Sequence, residues 1–140
     1  MKRNKIIVIG SGRLGANIAS MLYRQGSDVV LIDKNKKAFN KLLNSFGGYE
    51  IVGDATDVDL LESVYVKQAK EVIIVTGNDN LNLYLAHICY YIYDVPSIYI
   101  RQEDDDKKEL IKNTTIKAIY PFILSVNDFF KLRGSESEWK

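Results

Sequence analysis

Six short β-branched runs, each followed by a single helical stretch, leave this 140-residue chain few folds to choose from. The runs are residues 5–9, 28–32, 49–52, 72–76, 97–100 and 116–120. Helices are predicted over residues 12–25, 34–46, 58–64, 78–93, 104–112 and 121–132, with Gly26 and Gly47-Gly48 as stops. Apolar strands joined by single helices need cover on both faces, which implies a parallel sheet between two helical layers. Right-handed crossovers then give the doubly wound strand order 3-2-1-4-5-6. The length suits one domain, expected over residues 1–133, with a flexible tail over 134–140.

The remaining composition excludes more than it selects. A net charge of +1 supplies no field for nucleic acid or an anionic lipid surface. Apolar runs reach five or six residues, far below the roughly 18 needed to cross a bilayer. Direct membrane insertion is therefore not expected, nor is a signal peptide. One cysteine, Cys89, allows no internal disulfide and suits a reducing compartment.

The first strand runs into Gly10-Ser11-Gly12-Arg13-Leu14-Gly15. In a strand–turn–helix setting, Gly10 permits the tight turn, Gly12 admits a pyrophosphate to the backbone, and Gly15 lets the helix pack close. The helix amides favour anionic oxygens. An acid is required at the end of the second strand, and Asp33 stands there, placed to accept from both ribose hydroxyls. Its charge disfavours a 2′-phosphate, so NAD(H) or an adenine ribonucleotide is expected. Lys34, Lys36 and Lys37 soften that preference, or simply form a solvated face. The fold expected is Rossmann-like, a six-stranded α/β/α sandwich.

Two further turns leave the carboxyl ends of strands, where ligands of such sheets bind. Gly53-Asp54-Ala55-Thr56 can either meet an adenine edge or cap the next helix. Thr76-Gly77-Asn78-Asp79-Asn80 can either face phosphates and the second half of a dinucleotide or cap its own helix. Arg13 and Arg101 are the cations best placed for phosphate. His87 and Cys89 sit mid-helix two residues apart, off a common face, and read as core or interface positions. No metal site or catalytic triad is expected.

Together with Leu81, Asn82 and Asp33, these motifs resemble the nucleotide-binding domain of the Trk/Ktr potassium-uptake regulators, the RCK, KTN or TrkA-N domain, over about residues 4–132. The resemblance implies a cytoplasmic domain that binds NAD(H) or ATP/ADP/AMP without turnover. It also implies a homodimer or larger ring under a membrane potassium channel or transporter, on the inner face of the membrane. Carried onto this chain, it puts phosphates on Gly10–Gly15 with Arg13, ribose on Asp33 beside Lys34, and adenine by Asp54, Ala55 and Thr56. Thr76, Gly77, Asn78, Asp79 and Arg101 fall on the phosphate or nicotinamide side. Family regulators usually continue into a second, smaller ligand-sensing domain. This chain is expected to be either a single-domain subunit or a fragment cut near that boundary.

The last helix spreads Phe122, Ile123, Leu124, Val126, Phe129 and Phe130 around most of its circumference. Such a helix needs cover on several sides, from a partner copy or from a groove in its own domain. Tyr84, Tyr90, Tyr91 and Tyr93 would extend that surface. The function expected is a regulatory binding module; the alternative is an NAD-dependent oxidoreductase or its cofactor-binding subunit. A hydride-transfer enzyme needs a substrate pocket and usually an acid or base in it, and the one histidine is mid-helix.

Overall fold

In the computed structural model, which describes residues 2–41 and 46–139, all six strands pair in parallel. The strands are β1 (Lys5–Ile9), β2 (Asp28–Asp33), β3 (Tyr49–Val52), β4 (Ala69–Ile74), β5 (Ser97–Arg101) and β6 (Ile116–Ile119). Their spatial order is β3-β2-β1-β4-β5-β6, as the alternation predicts. The helices are α1 (Arg13–Arg24), α2 (Val58–Ser63), α3 (Asp79–Tyr91) and α4 (Pro121–Arg133).

Alternation along each strand divides the core. Ile6, Val8, Val29, Leu31, Ile73 and Val75 face α1, where Ala19, Ile18 and Leu22 meet them. Ile7, Ile9, Val30, Ile32, Val72, Ile74, Ile98 and Ile100 face the other way, under Leu61 of α2 and Leu83, Leu85, Ala86 and Cys89 of α3. Burial on both faces is why the strands read as continuous apolar runs.

Two predicted helices are shorter than expected. Over 34–46 a 3-10 helix forms at Lys36–Lys41, and residues 42–45 lie outside the described residues. Lys36 and Lys37 at its start, with no acid in the first turn, oppose the helix dipole there. Over 104–112 only Lys108–Ile111 is helical, again 3-10. The N–H groups of Glu103 and Asp104 are given instead to the Asp79 carboxylate at 2.9 and 3.1 Å, which holds that chain as a loop. Asp104–Asp106 therefore precede the helix rather than sit in its first turn. β4 begins at Ala69, earlier than predicted, because polar Lys70 and Glu71 disguise its start.

α4 stands apart from the core. None of its residues is buried, and Phe122, Leu124, Phe129 and Leu132 are at least half exposed. Gly134, at φ +83°, ends it in a left-handed cap. Beyond that cap the chain turns back, and the Trp139 ring meets Phe122 edge-on at 5.7 Å. Of the four tyrosines of α3 and its end, Tyr93 is buried and Tyr90 packs on the core, leaving Tyr84 and Tyr91 exposed.

Candidate functional site

The turn after β1 depends on two glycines. Gly10 has φ +104°, and a Cβ there would lie 2.9 Å from the Thr76 amide nitrogen. A Cβ on Gly15 would lie 1.8 Å from the Gly10 carbonyl oxygen, so α1 can seat against the turn only with glycine at that position. Gly12 differs: nothing lies within 4 Å of its imagined Cβ. It is the N-cap of α1, with no side-chain cap bond and no acid in the first turn. The start of α1 thus carries no side-chain cap and no acid of its own to meet its first amides.

These loops leave the sheet at its carboxyl edge, joined by bonds such as Gly10 N–H to Ile32 C=O at 2.8 Å and Val75 N–H to Ile9 C=O at 2.8 Å. Between them opens a cleft of about 440 Å³, within the usual range for small-molecule sites. Its apolar floor is Ile9, Ile32, Val75, Leu81 and Leu85. Of the residues singled out by sequence, Gly10, Gly12, Asp33, Lys34, Asp54, Ala55, Thr56, Thr76, Gly77 and Arg101 line it.

Asp33 is fixed by two amides: Ser11 N–H donates to one carboxylate oxygen at 2.7 Å and Asn35 N–H to the other at 2.8 Å. Each oxygen keeps a free lone pair for a diol. Ser11 itself is buried, its hydroxyl donating to the Ala38 carbonyl at 3.2 Å. Its amide therefore orients the acid rather than facing the cleft. Asp54 is held below the usual carboxylate range by the Thr56 hydroxyl and amide first, then by Lys34. The Thr56 groups donate at 2.7 and 2.9 Å, and the Lys34 ammonium lies 3.5 Å away, across the ends of β2 and β3. Both members of that ion pair are exposed, so its worth to stability is small. The cap of α2 is Asp57, which accepts from Asp59 N–H at 3.0 Å.

Six predicted residues are not in the lining. Besides Ser11, Leu14 packs into the core against α1's face of the sheet and Gly15 is buried under it. Arg13 stands exposed at the first position of α1. Asn78 caps α3, accepting from Leu81 N–H at 3.0 Å, and Asp79 is occupied by the loop after β5. Sequence reasoning assigned no site role to four of the lining residues, Asn35, Ala38, Leu81 (noted only as part of the motif) and Leu85. The first two follow the acid at the end of β2, and the latter two are α3's inward face, so strand ends and helix phase together were the available signal. Arg101 pairs loosely with Glu103 at 3.8 Å.

The TrkA-N domain family model matches residues 6–121, from β1 to the start of α4. The chain belongs to the TrkA-N domain family. It is 28% identical over 124 residues to the Trk system potassium uptake protein TrkA homolog of Pyrococcus horikoshii, an alignment covering 88% of this chain and 54% of that protein. This TrkA-N chain spans about half the length of the curated relatives it matches. The TrkA-N domain of the inner membrane protein ybaL from Escherichia coli shares its fold with a TM-score of 0.78 at 17% identity, over 93% of this chain and 96% of that one. The GsuK channel bound to NAD shares it with a TM-score of 0.78 at 21% identity, over 94% of this chain and 23% of that one. Among the described residues no helix is long and apolar enough to cross a membrane, and no cluster of acids, histidines and cysteines fits a metal ion.

Proposed function

We propose that this chain is the nucleotide-sensing domain of a potassium transport system. It binds NAD(H) or an adenine nucleotide (ATP, ADP or AMP), and occupancy biases a membrane potassium channel or transporter between two shapes. The observation that carries this is Asp33, anchored by the amide of the glycine turn and left with a free lone pair on each oxygen. That is a ribose acceptor set beside an uncapped helix start. In this reading the α1 amides and Gly12 take phosphate, with Arg13 reaching in from the first turn, while Asp54, Ala55 and Thr56 meet the base. Trk-type relatives and a channel holding NAD support the partner and ligand class.

A sensor needs ligands that distinguish two states, and an assembly is the usual way to have two. The bare helix α4, residues 121–132 in particular, supports a homodimer or larger ring. The domain would work in the cytoplasm, held at the inner face of the membrane by its transporter. The alternative, an oxidoreductase, would have to draw its general acid or base from Asp33, Asp54 or Lys34 of the described cleft.

Calorimetry with NAD, NADH, ATP, ADP and AMP, run beside light scattering, tests the proposal. At least one nucleotide should bind, and Asp33→Ala should weaken it by about tenfold or more. No binding by any of the five sinks the reading, and steady turnover of a nicotinamide with a carbonyl or imine panel would replace it with the enzyme.

A further inference from the structure

One side chain outside the cleft lining bonds to two residues of the lining, Thr76 and Arg101. Asn82, on α3, is polar yet fully buried. Its Nδ2 donates to the carbonyl of Thr76 at 3.1 Å and to that of Arg101 at 2.7 Å. Its Oδ1 accepts from the Thr76 N–H at 3.2 Å and from the Thr76 hydroxyl. Two donors and two lone pairs are all that a carboxamide has, so Asn82 is saturated. The β4–β5 ladder makes its last pairing at Ile74 and Ile100. Past that point the amide of Asn82 stands in for a strand, bridging the ends of β4 and β5 through two residues that both line the cleft.

We propose that Asn82 is the positioning residue of the far half of the cleft, the side of Thr76 and Arg101: it fixes their spacing and sets the polarity that Thr76 offers a ligand. The proposal rests on the nucleotide reading above. The Thr76 hydroxyl proton has two acceptors within the protein, Asn82 Oδ1 and, at 3.4 Å, the Asn78 carbonyl, so it is spent there rather than on a ligand. The same hydroxyl oxygen takes the Asn78 N–H at 3.2 Å. One lone pair remains, and no proton. A phosphate oxygen, itself an acceptor, finds no partner at Thr76, whereas a ligand N–H or O–H does. Arg101, alongside, offers only donors. The pair is thus matched to a group that carries donor and acceptor together, such as a carboxamide or a second ribose diol, rather than to a bare terminal phosphate. The far half is built to tell a dinucleotide from a mononucleotide.

The test compares NADH with AMP, which ends before that half, by calorimetry on the full chain. Asn82→Ala and Thr76→Val should each weaken NADH by about tenfold or more while AMP changes by less than about threefold. Thr76→Ser, which keeps the hydroxyl, should restore the wild-type ratio. Equal loss for both ligands would make Asn82 a structural residue only, and an unchanged NADH affinity would remove its role altogether; either result overturns the proposal. If Asn82→Ala does not fold, the Val and Ser variants at Thr76 decide the same question. A wild-type chain that binds neither nucleotide fails the nucleotide reading itself, a different outcome from variants that shift both ligands together.

Discussion

At the scale of single residues, three glycines of one motif serve three purposes, and substitution separates them. Gly15→Ala drives a methyl into the Gly10 carbonyl, a backbone atom that cannot swing aside. It should cost about 3 kcal/mol of stability in urea unfolding. Gly12→Ala meets open space at an ordinary φ of −71°, so folding should be nearly unaffected. Nucleotide affinity should fall instead, because the methyl fills the path by which a pyrophosphate nears the backbone. If Gly12→Ala leaves nucleotide affinity unchanged, the glycine turn is there for packing alone. The motif and Asp33 were legible because they lie in local spacing along one β-α-β unit. Asn82 stood in the motif that carries the resemblance, but its bridging role was not legible. Its partners lie six and nineteen residues away, and they meet only because β4 and β5 are neighbours in the sheet. Asn78 and Asp79 illustrate the converse: right type and right loop, yet their side chains are consumed by a cap and by a neighbouring loop.

Among the elements, α4 and α3 show how burial separates an apolar pattern from a core. α3 places Leu83, Leu85, Ala86 and Cys89 against the sheet, and of these the sequence singled out only Cys89, as a core or interface position. α4 is as apolar, yet Leu124 is 59% and Leu132 81% exposed. No periodicity could reveal this, since it depends on what lies opposite the helix. If a second copy covers it, Phe129→Glu with Leu132→Glu should convert the assembly to monomer in light scattering, with nucleotide affinity retained because neither residue lines the cleft. Wild-type protein that is monomeric with and without nucleotide ends the assembly argument. The two truncated helices carry a related lesson: propensity was outvoted by charge at one and by the Asp79 carboxylate at the other.

For the molecule as a whole, stability has a pH dependence set in its deepest layer. Burial raises the Cys89 thiol from 9.0 to about 12, while the unfolded chain ionises near the lower value. The folded state therefore retains a proton that the unfolded state releases. This part of the stability is complete below pH 9 and is lost as pH rises toward 12. Urea unfolding across that window should fall less steeply for Cys89→Ala than for wild type. Equal slopes would show that the thiol is not shielded as described. The sheet order itself was legible from strand and helix counts, because handedness and burial on two faces leave little choice.

The contact of Trp139 with Phe122 has an optical consequence. The chain has a single tryptophan, and it rests on the first turn of the bare helix. Its emission therefore reports on one place, the apolar flank of α4. A copy docking there would either dry the indole and shift its spectrum to the blue or lift it into water and shift it to the red. Assembly could be followed by fluorescence without attaching a dye.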